Sequence, residues 1–141
     1  MASRRPRGLV FVISGPSGGG KTTVTERLLR LVPRLVRSIS VTTRPIRRGE
    51  RRGRDYHFVS PTAFQRLRRS GGLLEWASVH GAFYGTPKPP VLEALASGKD
   101  IVLNIDVQGA RQVRRALGAR AVLMFLRPPS VAQLQRRLAR R

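Results

Sequence analysis

The fold of this 141-residue chain is decided by residues 9–22, which have the sequence LVFVISGPSGGGKT. The first five, Leu9 to Ile13, are apolar and rich in β-branched side chains, which is typical of a strand buried on both faces of a parallel sheet. The residues after the glycines, Lys21–Leu31, predict a helix that ends before Pro33. The inward face of this helix is predicted to consist of Val24, Leu28 and Leu31.

The loop between this strand and this helix fits the pattern G-x-x-x-x-G-K-[ST], which binds phosphate. Glycines let successive backbone N–H groups converge on one phosphate, and the N-terminus of the following helix adds partial positive charge. The lysine can reach the β- and γ-phosphates, and the next hydroxyl can ligate Mg²⁺. The alternative is a glycine-rich turn that carries Lys-Thr by chance. We predict a site for a nucleoside triphosphate with Mg²⁺ at Gly15, Pro16, Ser17, Gly18, Gly19, Gly20, Lys21, Thr22 and Thr23.

The rest of the chain alternates between strand and helix patterns, with no repeat and no linker. Further strands are predicted at Val36–Val41, Tyr56–Val59, Leu73–Val79, Ile101–Ile105 and Ala121–Leu126. Further helices are predicted after Ser60-Pro61 and Thr86-Pro87, over Gln108–Leu117, and after Ser130. Their buried stripes are predicted to be Phe64 and Leu67, then Val91, Leu92 and Leu95, and finally Val131, Leu134 and Leu138. This alternation predicts one α/β domain, residues 1–141, with a mainly parallel sheet.

The composition first suggests a nucleic-acid partner, because 28 Lys and Arg against 7 Asp and Glu give a formal charge of +21. However, the arginines are spread along the chain, and aromatic residues make up only 6% of it, which is few for base stacking. No apolar run approaches the roughly 20 residues of a membrane span. The absence of cysteine excludes disulfides and thiolate metal sites. We expect a cytoplasmic protein with no membrane partner.

Six separated segments, in order, closely resemble guanylate kinase. They are the phosphate loop, SISVTTRPIRRGE (38–50), RDYHF (54–58), LLEWA (73–77), GAFYGT (81–86) and IDVQG (105–109). The resemblance runs from about Leu9 to the last residue. It implies an enzyme that transfers the γ-phosphate of ATP to GMP, giving ADP and GDP. It also implies a three-layer P-loop fold with an inserted GMP-binding lobe at about residues 36–87.

The resemblance assigns roles to residues of this chain. Arg44 and Arg47 would clamp the GMP phosphate, and the hydroxyls of Tyr56 and Tyr84 would bind the same group. Ser40, Thr86, Glu75 and Asp106 would bind the guanine base. Residues acting on the transferring phosphate would be Lys21, Arg44, Arg137 and Arg141.

These assignments agree with the chemistry of the side chains. The planar guanidinium of arginine matches phosphate oxygens in pairs, although an exposed basic loop over Thr42–Arg54 would contain the same residues. A carboxylate such as that of Glu75 can accept from both N1–H and the amino group of guanine. Adenine presents an acceptor at N1, so the same site would reject it. The alternative for Glu75 is a glutamate on the exposed side of a strand.

Two departures from the family pattern bear on activity. The family usually has an acid where this chain has Asn104, so we expect Mg²⁺ to be held by Thr22, with Asn104 or Asp106 acting through water. The resemblance stops at Leu134–Arg141, before the rest of the lid, the last strand and the last helix of the family. We therefore expect an incomplete domain, from a truncated or broken gene or an incomplete sequence, with weak or no activity and exposed apolar surface.

Three alternatives remain open from the sequence. One is a guanylate-kinase-like module that binds proteins and does not catalyse; such modules usually lack a complete phosphate loop. Another is a P-loop kinase for a different nucleotide. The last is a basic protein that binds nucleic acid.

Overall fold

The computed structural model describes residues 7–16, 20–127 and 130–139. In chain order, the elements are β1 (Val10–Ser14), α1 (Lys21–Leu31), β2 (Val36–Arg37), β3 (Val41–Thr42), β4 (His57–Phe58), α2 (Pro61–Arg69), β5 (Leu73–Val79), β6 (Ala82–Pro87), α3 (Lys88–Ala96), β7 (Ile101–Asn104), α4 (Val107–Leu117), β8 (Ala121–Phe125) and α5 (Val131–Ala139). The strands form two separate sheets of four strands each.

The first sheet is parallel throughout, in the order β2-β7-β1-β8. The predicted strand at Leu9–Ile13 lies inside it as β1, with Val10, Val12 and Ile13 at 0% exposure. Helices cover strands that are buried on both faces, which explains their continuous apolar runs. The resulting core consists of Val10, Val12, Val91, Ala94, Leu95, Ile101, Leu103, Ile105, Ala110, Val113 and Ala121.

The second sheet is mixed, in the order β4-β3-β6-β5. Strand β6 was not predicted, because Thr86-Pro87 matches a helix cap followed by a first-turn proline. In the structure Thr86 is instead a strand residue directly opposite Glu75 on β5, and its side chain does not cap α3. The predicted cap was therefore wrong, because pairing with β3 and β5 determines the conformation here.

The predicted strand over Val36–Val41 is divided between the two sheets. Val36–Arg37 pairs with β7 in the first sheet, whereas Val41–Thr42 pairs with β4 and β6 in the second. The intervening residues cross from one sheet to the other, so Ser40 lies at the junction of the two layers. A single alternating pattern could not reveal this change of partner.

Three of the predicted buried stripes, in α1, α3 and α5, were only partly right. In α1 the buried residue is Thr25, while Val24 and Leu31 are 37% and 72% exposed. In α3 Leu92 is 48% exposed. The other stripe residues fall into three groups: Phe64, Val91 and Leu95 are buried; Leu28 and Leu67 are half-buried; and Leu138 is exposed. The side chains of Val131 and Leu134 lie outside the described part of the chain.

Candidate functional site

The phosphate loop begins where β1 ends at the edge of the first sheet. Gly15 has φ of 150°, and a Cβ atom there would lie 2.4 Å from the carbonyl oxygen of Leu126. Gly20 has φ of 92° and immediately precedes α1. Both positions therefore require glycine, for conformation and, at Gly15, for space as well. The predicted loop residues Ser17, Gly18 and Gly19 lie outside the described residues.

Lys21 and two threonines begin the helix after the loop. The Lys21 Nζ atom donates to the carbonyl oxygen of Gly15 at 2.8 Å, which holds the ammonium group beside the start of the loop. Thr22 and Thr23 are exposed. The lysine and both hydroxyls lie at the loop-facing end of α1, where a nucleotide phosphate would be stabilised by the helix dipole.

Asn104 ends β7 beside the phosphate loop. Its Nδ2 atom donates to the Thr22 hydroxyl oxygen at 3.3 Å. Among the described residues, no group of three His, Cys, Asp or Glu side chains could hold a metal ion. The Thr22 hydroxyl and the Asn104 amide are the polar groups that lie together at this point beside the loop, and hydroxyl and amide oxygens are ligands that Mg²⁺ accepts.

The second sheet carries a cluster centred on Arg44, which we call the arginine cluster: Arg44, Glu50, Tyr56, Phe58 and Tyr84. Arg44 Nη1 and Nη2 donate to Glu50 Oε1 and Oε2 at 2.8 and 2.9 Å, and Arg44 Nε donates to the Tyr84 hydroxyl at 3.2 Å. The guanidinium carbon lies 5.1 Å from the centre of the Tyr56 ring. The Arg44 side chain is only 11% exposed, so the predicted alternative of a fully solvated basic loop is wrong for this residue.

Hydrogen bonding and burial shift the pKa values of three side chains in the arginine cluster. The bond from Arg44 lowers the pKa of the Glu50 carboxyl, and the bond to Glu50 raises the pKa of Arg44. Burial raises the pKa of the Tyr56 hydroxyl. These shifts favour the charged forms of Arg44 and Glu50 and the neutral form of Tyr56. Arg47 contacts the cluster through its backbone, whose N–H donates to Glu50 Oε1 at 2.7 Å. Its side chain, unlike that of Arg44, is exposed.

A second cluster, the carboxylate pocket, consists of Glu75, Thr86, Asp106 and Gly109. Glu75 is 3% exposed, so the interpretation as a surface glutamate is wrong. Its Oε1 atom accepts a hydrogen bond from the Thr86 hydroxyl at 2.7 Å. Burial raises the pKa of Glu75 to about 7, the Thr86 hydroxyl opposes that rise, and the charge of Asp106 adds to it.

Asp106 and Ser40 extend this region toward the first sheet. Asp106 caps α4, with its Oδ1 atom accepting from the Gly109 N–H at 3.0 Å. A small cleft beside Ser40 is walled by residues of α1, β2 and β7 and by loop residues that precede β3 and β4. It is lined by Thr25, Arg37, Ser38, Ser40, Asp55, Tyr56, Val102 and Asn104.

Two residues of this region were not assigned a role from the sequence. Glu50 is the carboxylate partner of Arg44, and the available signal was its rarity, since it is an acid within a strongly basic segment. Gln112 hydrogen bonds to the backbone of Trp76 through both ends of its amide, and no local pattern predicts such a long-range contact. Of the predicted arginines near the chain end, Arg141 and the side chain of Arg137 lie outside the described residues.

A buried parallel strand, a G-x-x-x-x-G-K-T loop and a following helix define the P-loop class of α/β proteins. The guanylate kinase family model matches residues 7–141. The chain belongs to the guanylate kinase family, as the sequence motifs predicted.

Individual relatives support the family and the fold. The guanylate kinase of Rhizobium etli is 51% identical over 135 residues, which are 96% of this chain and 61% of that protein. The guanylate kinase of Nitratidesulfovibrio vulgaris is 51% identical over 138 residues, 98% of this chain and 66% of that protein. The crystal structure of guanylate kinase from Anaplasma phagocytophilum matches with a TM-score of 0.85 and 38% identity, covering 94% of this chain and 67% of that one. The predicted α/β fold with a mainly parallel sheet is confirmed.

The relatives are longer than this chain, which spans 61% to 66% of the length of the two proteins compared above. Within the residues that the structure describes, no helix is both long enough and apolar enough to cross a membrane.

Proposed function

We propose that the whole protein transfers the γ-phosphate of ATP to GMP, giving ADP and GDP. The observation that carries this proposal is the buried Glu75 carboxylate paired with the Thr86 hydroxyl at 2.7 Å. A buried carboxylate needs hydrogen-bond donors, and the two oxygens of Glu75 can accept more hydrogen bonds than Thr86 supplies. The N1–H and amino group of guanine are two adjacent donors of the required kind.

The phosphate end of GMP would meet the arginine cluster. Tyr84 and Thr86 lie two residues apart on β6, so their side chains share one face and are separated by about 7 Å along the strand. One strand would thus hold a phosphate-binding hydroxyl and a base-binding hydroxyl in fixed relation. This spacing allows a single nucleotide to contact the arginine cluster and the carboxylate pocket together.

Arg44 has little free hydrogen-bonding capacity in the unliganded cluster. A guanidinium has five N–H donors, and Arg44 uses four of them toward Tyr84, the carbonyl oxygen of Pro45 and both oxygens of Glu50. An arriving phosphate therefore takes the remaining donor or replaces Glu50 on the others. The exposed Arg47 and the tyrosine hydroxyls would complete the contacts with this phosphate.

The chemistry needs positioning and electrostatic stabilisation, and it needs no general base. A GMP phosphate oxygen, already anionic, forms a bond to the γ-phosphorus, while the bond from that phosphorus to the oxygen of ADP breaks. Lys21 would stabilise the negative charge on the transferring group. The roles of Arg137 and Arg141 on the same group remain predictions from the family resemblance.

We propose Mg²⁺ as the cation that accompanies ATP, where it would neutralise phosphate charge. Thr22 offers a hydroxyl ligand, and Asn104, whose Nδ2 atom is 3.3 Å from that hydroxyl, would act through water. Asp106 is the weaker of the two predicted candidates, because one of its oxygens already caps α4. We expect the protein to work in the cytoplasm, where ATP is supplied.

Calorimetric titration of the 141-residue chain with GMP and with ATP tests the proposal. Arg44→Ala should weaken GMP binding about 10- to 100-fold, because a charge-assisted contact is lost, and should leave ATP binding within about twofold. Arg48→Ala is the matched control, since Arg48 is an exposed arginine of the same loop. Equal losses for both nucleotides would contradict the proposal. Failure to bind ATP would favour a non-catalytic module, and tighter binding of another monophosphate would favour a different kinase.

A further inference from the structure

Strand β5 carries Glu75 at the open edge of the second sheet. Its one strand neighbour is β6, so backbone groups that point away from β6 have no partner within the sheet. The pairing of β5 with β6 also shifts register between Leu73 and Glu75, an irregularity of the kind that redirects a side chain. The residue that binds guanine in our proposal therefore follows a locally weakened stretch of strand.

Gln112 of α4 supplies the missing partner at this edge. Its Oε1 atom accepts from the Trp76 N–H at 3.1 Å, and its Nε2 atom donates to the Trp76 carbonyl oxygen at 2.6 Å. One amide thus bonds to both polar groups of a single residue, as a neighbouring strand would. Because α4 also packs against β1 and β8 of the first sheet, this contact fixes the residue beside Glu75 relative to the phosphate-loop layer.

Gly109, one turn earlier on α4, provides room for the Glu75 carboxylate itself. A Cβ atom on Gly109 would lie 2.2 Å from Glu75 Oε2 and 2.9 Å from its Cδ atom. Gly109 lies within a helix, where its backbone conformation does not demand glycine and alanine would be more favourable. The space that a side chain would occupy is instead filled by the carboxylate.

We infer that Gly109 and Gln112 are positioning residues that orient the Glu75 carboxylate and thereby set the preference for guanine. This inference rests on the proposed function. Gln112 fixes the strand, Gly109 admits the side chain, and the Thr86 hydroxyl holds one carboxylate oxygen. Two hydrogen bonds to adjacent donors on guanine require a carboxylate in one orientation, because loss of alignment weakens both bonds.

Inosine monophosphate (IMP) separates this role from a purely structural one. IMP keeps the ribose phosphate and N1–H of GMP and lacks the 2-amino group. A misoriented carboxylate loses its contact with that amino group, so affinity for GMP falls toward affinity for IMP. General damage to the fold lowers both affinities by the same factor. The ratio of the two dissociation constants therefore reports orientation.

The first test measures both dissociation constants by calorimetry at pH 8 on the 141-residue chain. Gln112→Met removes both hydrogen bonds at similar side-chain length, and we expect the preference for GMP over IMP to fall about 10-fold. Gln108→Met is the matched control, because Gln108 is an exposed glutamine of the same helix, and it should leave the preference unchanged. An unchanged preference in Gln112→Met, or equal losses for both nucleotides, overturns the inference.

Gly109→Ala keeps the test decisive if Gln112→Met fails to fold. We expect the preference for GMP over IMP to fall in Gly109→Ala, because the added Cβ atom displaces the Glu75 carboxylate, while the gain in helix propensity partly offsets the cost of this crowding; a cooperative thermal transition checks that the variant is folded. A retained preference would overturn the inference while leaving the proposed function intact. If the unaltered chain itself does not distinguish GMP from IMP, the proposed function fails, and the inference fails with it.

Discussion

The phosphate loop and the carboxylate pocket depend on different kinds of chain contact. The loop is one continuous segment between β1 and α1, whereas the pocket draws Glu75 from β5, Thr86 from β6, and Asp106 and Gly109 from the start of α4. Recognition of phosphate by backbone N–H groups needs local geometry alone. Recognition of a base needs side chains whose separation only the tertiary fold determines.

Of the single substitutions in these two regions, we expect one at Gly15 to have the greatest consequence. Gly15→Ala would combine a strained φ of 150° with a Cβ atom 2.4 Å from the Leu126 carbonyl oxygen. We expect ATP affinity to fall about 100-fold and unfolding free energy to fall by about 2–4 kcal/mol. Calorimetry and urea denaturation measure the two effects.

A matched control separates strain from the clash at Gly15. Gly118 also has positive φ, of 56°, and nothing lies within 4 Å of a Cβ atom there. Gly118→Ala should therefore lower the free energy of unfolding only by the cost of backbone strain, and it should leave ATP affinity unchanged. If folded Gly15→Ala protein lost GMP affinity as strongly as ATP affinity, the two sites would not be independent.

The carboxylate pocket should show the opposite behaviour, with a substitution that weakens binding and improves stability. Glu75→Gln removes the charge, and we expect GMP affinity to fall about 100-fold while ATP affinity holds. Burial raises the pKa of Glu75 from 4.5 to about 7, so the folded state binds the proton more tightly than the unfolded state. This carboxyl therefore lowers the stability of the unaltered chain progressively as pH rises from about 4.5 to 7.

The free energy of unfolding of Glu75→Gln, relative to that of the unaltered chain, should therefore increase as the pH rises. At pH 4 the two should be similar, and at pH 8 the variant should be more stable by up to about 3 kcal/mol. Urea denaturation at both pH values measures this, with the exposed Glu26→Gln as a control for which no such change is expected. A variant less stable than the unaltered chain at pH 8 would show that Glu75 contributes to folding.

Substitution of Asn104, which lies between the two regions, should change nucleotide affinity the least. An aspartate in its place can accept a hydrogen bond from Thr22 and supplies the acid that the family usually has. We expect Asn104→Asp to change ATP and GMP affinities by less than about threefold. A sharp loss of either affinity would refute the expectation that an acid is tolerated at this position.

The same two regions show how far the sequence alone could be interpreted. β1 was predicted correctly because its apolar run is a local signal within a few residues. The binding roles of the loop glycines and Lys21 stay predictions from the same kind of local pattern. β6 was missed because Gly85 and Pro87 disfavour strands and because Thr86-Pro87 matches a helix start. Only the pairing with β5 gives Thr86 its partner, Glu75.

Long-range contacts account for the other features that the structure shows and the sequence did not predict. Trp76 and Gln112 are 36 residues apart, and the ion pair between Arg44 and Glu50 depends on the fold of an irregular loop. The buried face of α1 was misassigned because spacing defines a stripe without defining which neighbour covers it. The family motifs predict that Glu75 binds the base, whereas its burial and raised pKa required the structure.

We propose that the carboxylate pocket selects guanine while the arginine cluster holds the phosphate. Calorimetric titration of the unaltered chain with GMP and with AMP, at pH 8 and constant ionic strength, tests it most directly. Both ligands carry the same phosphate, so any difference arises at the base. We predict that AMP binds at least about 100-fold more weakly than GMP. Equal affinities, or tighter binding of AMP, would contradict the claim.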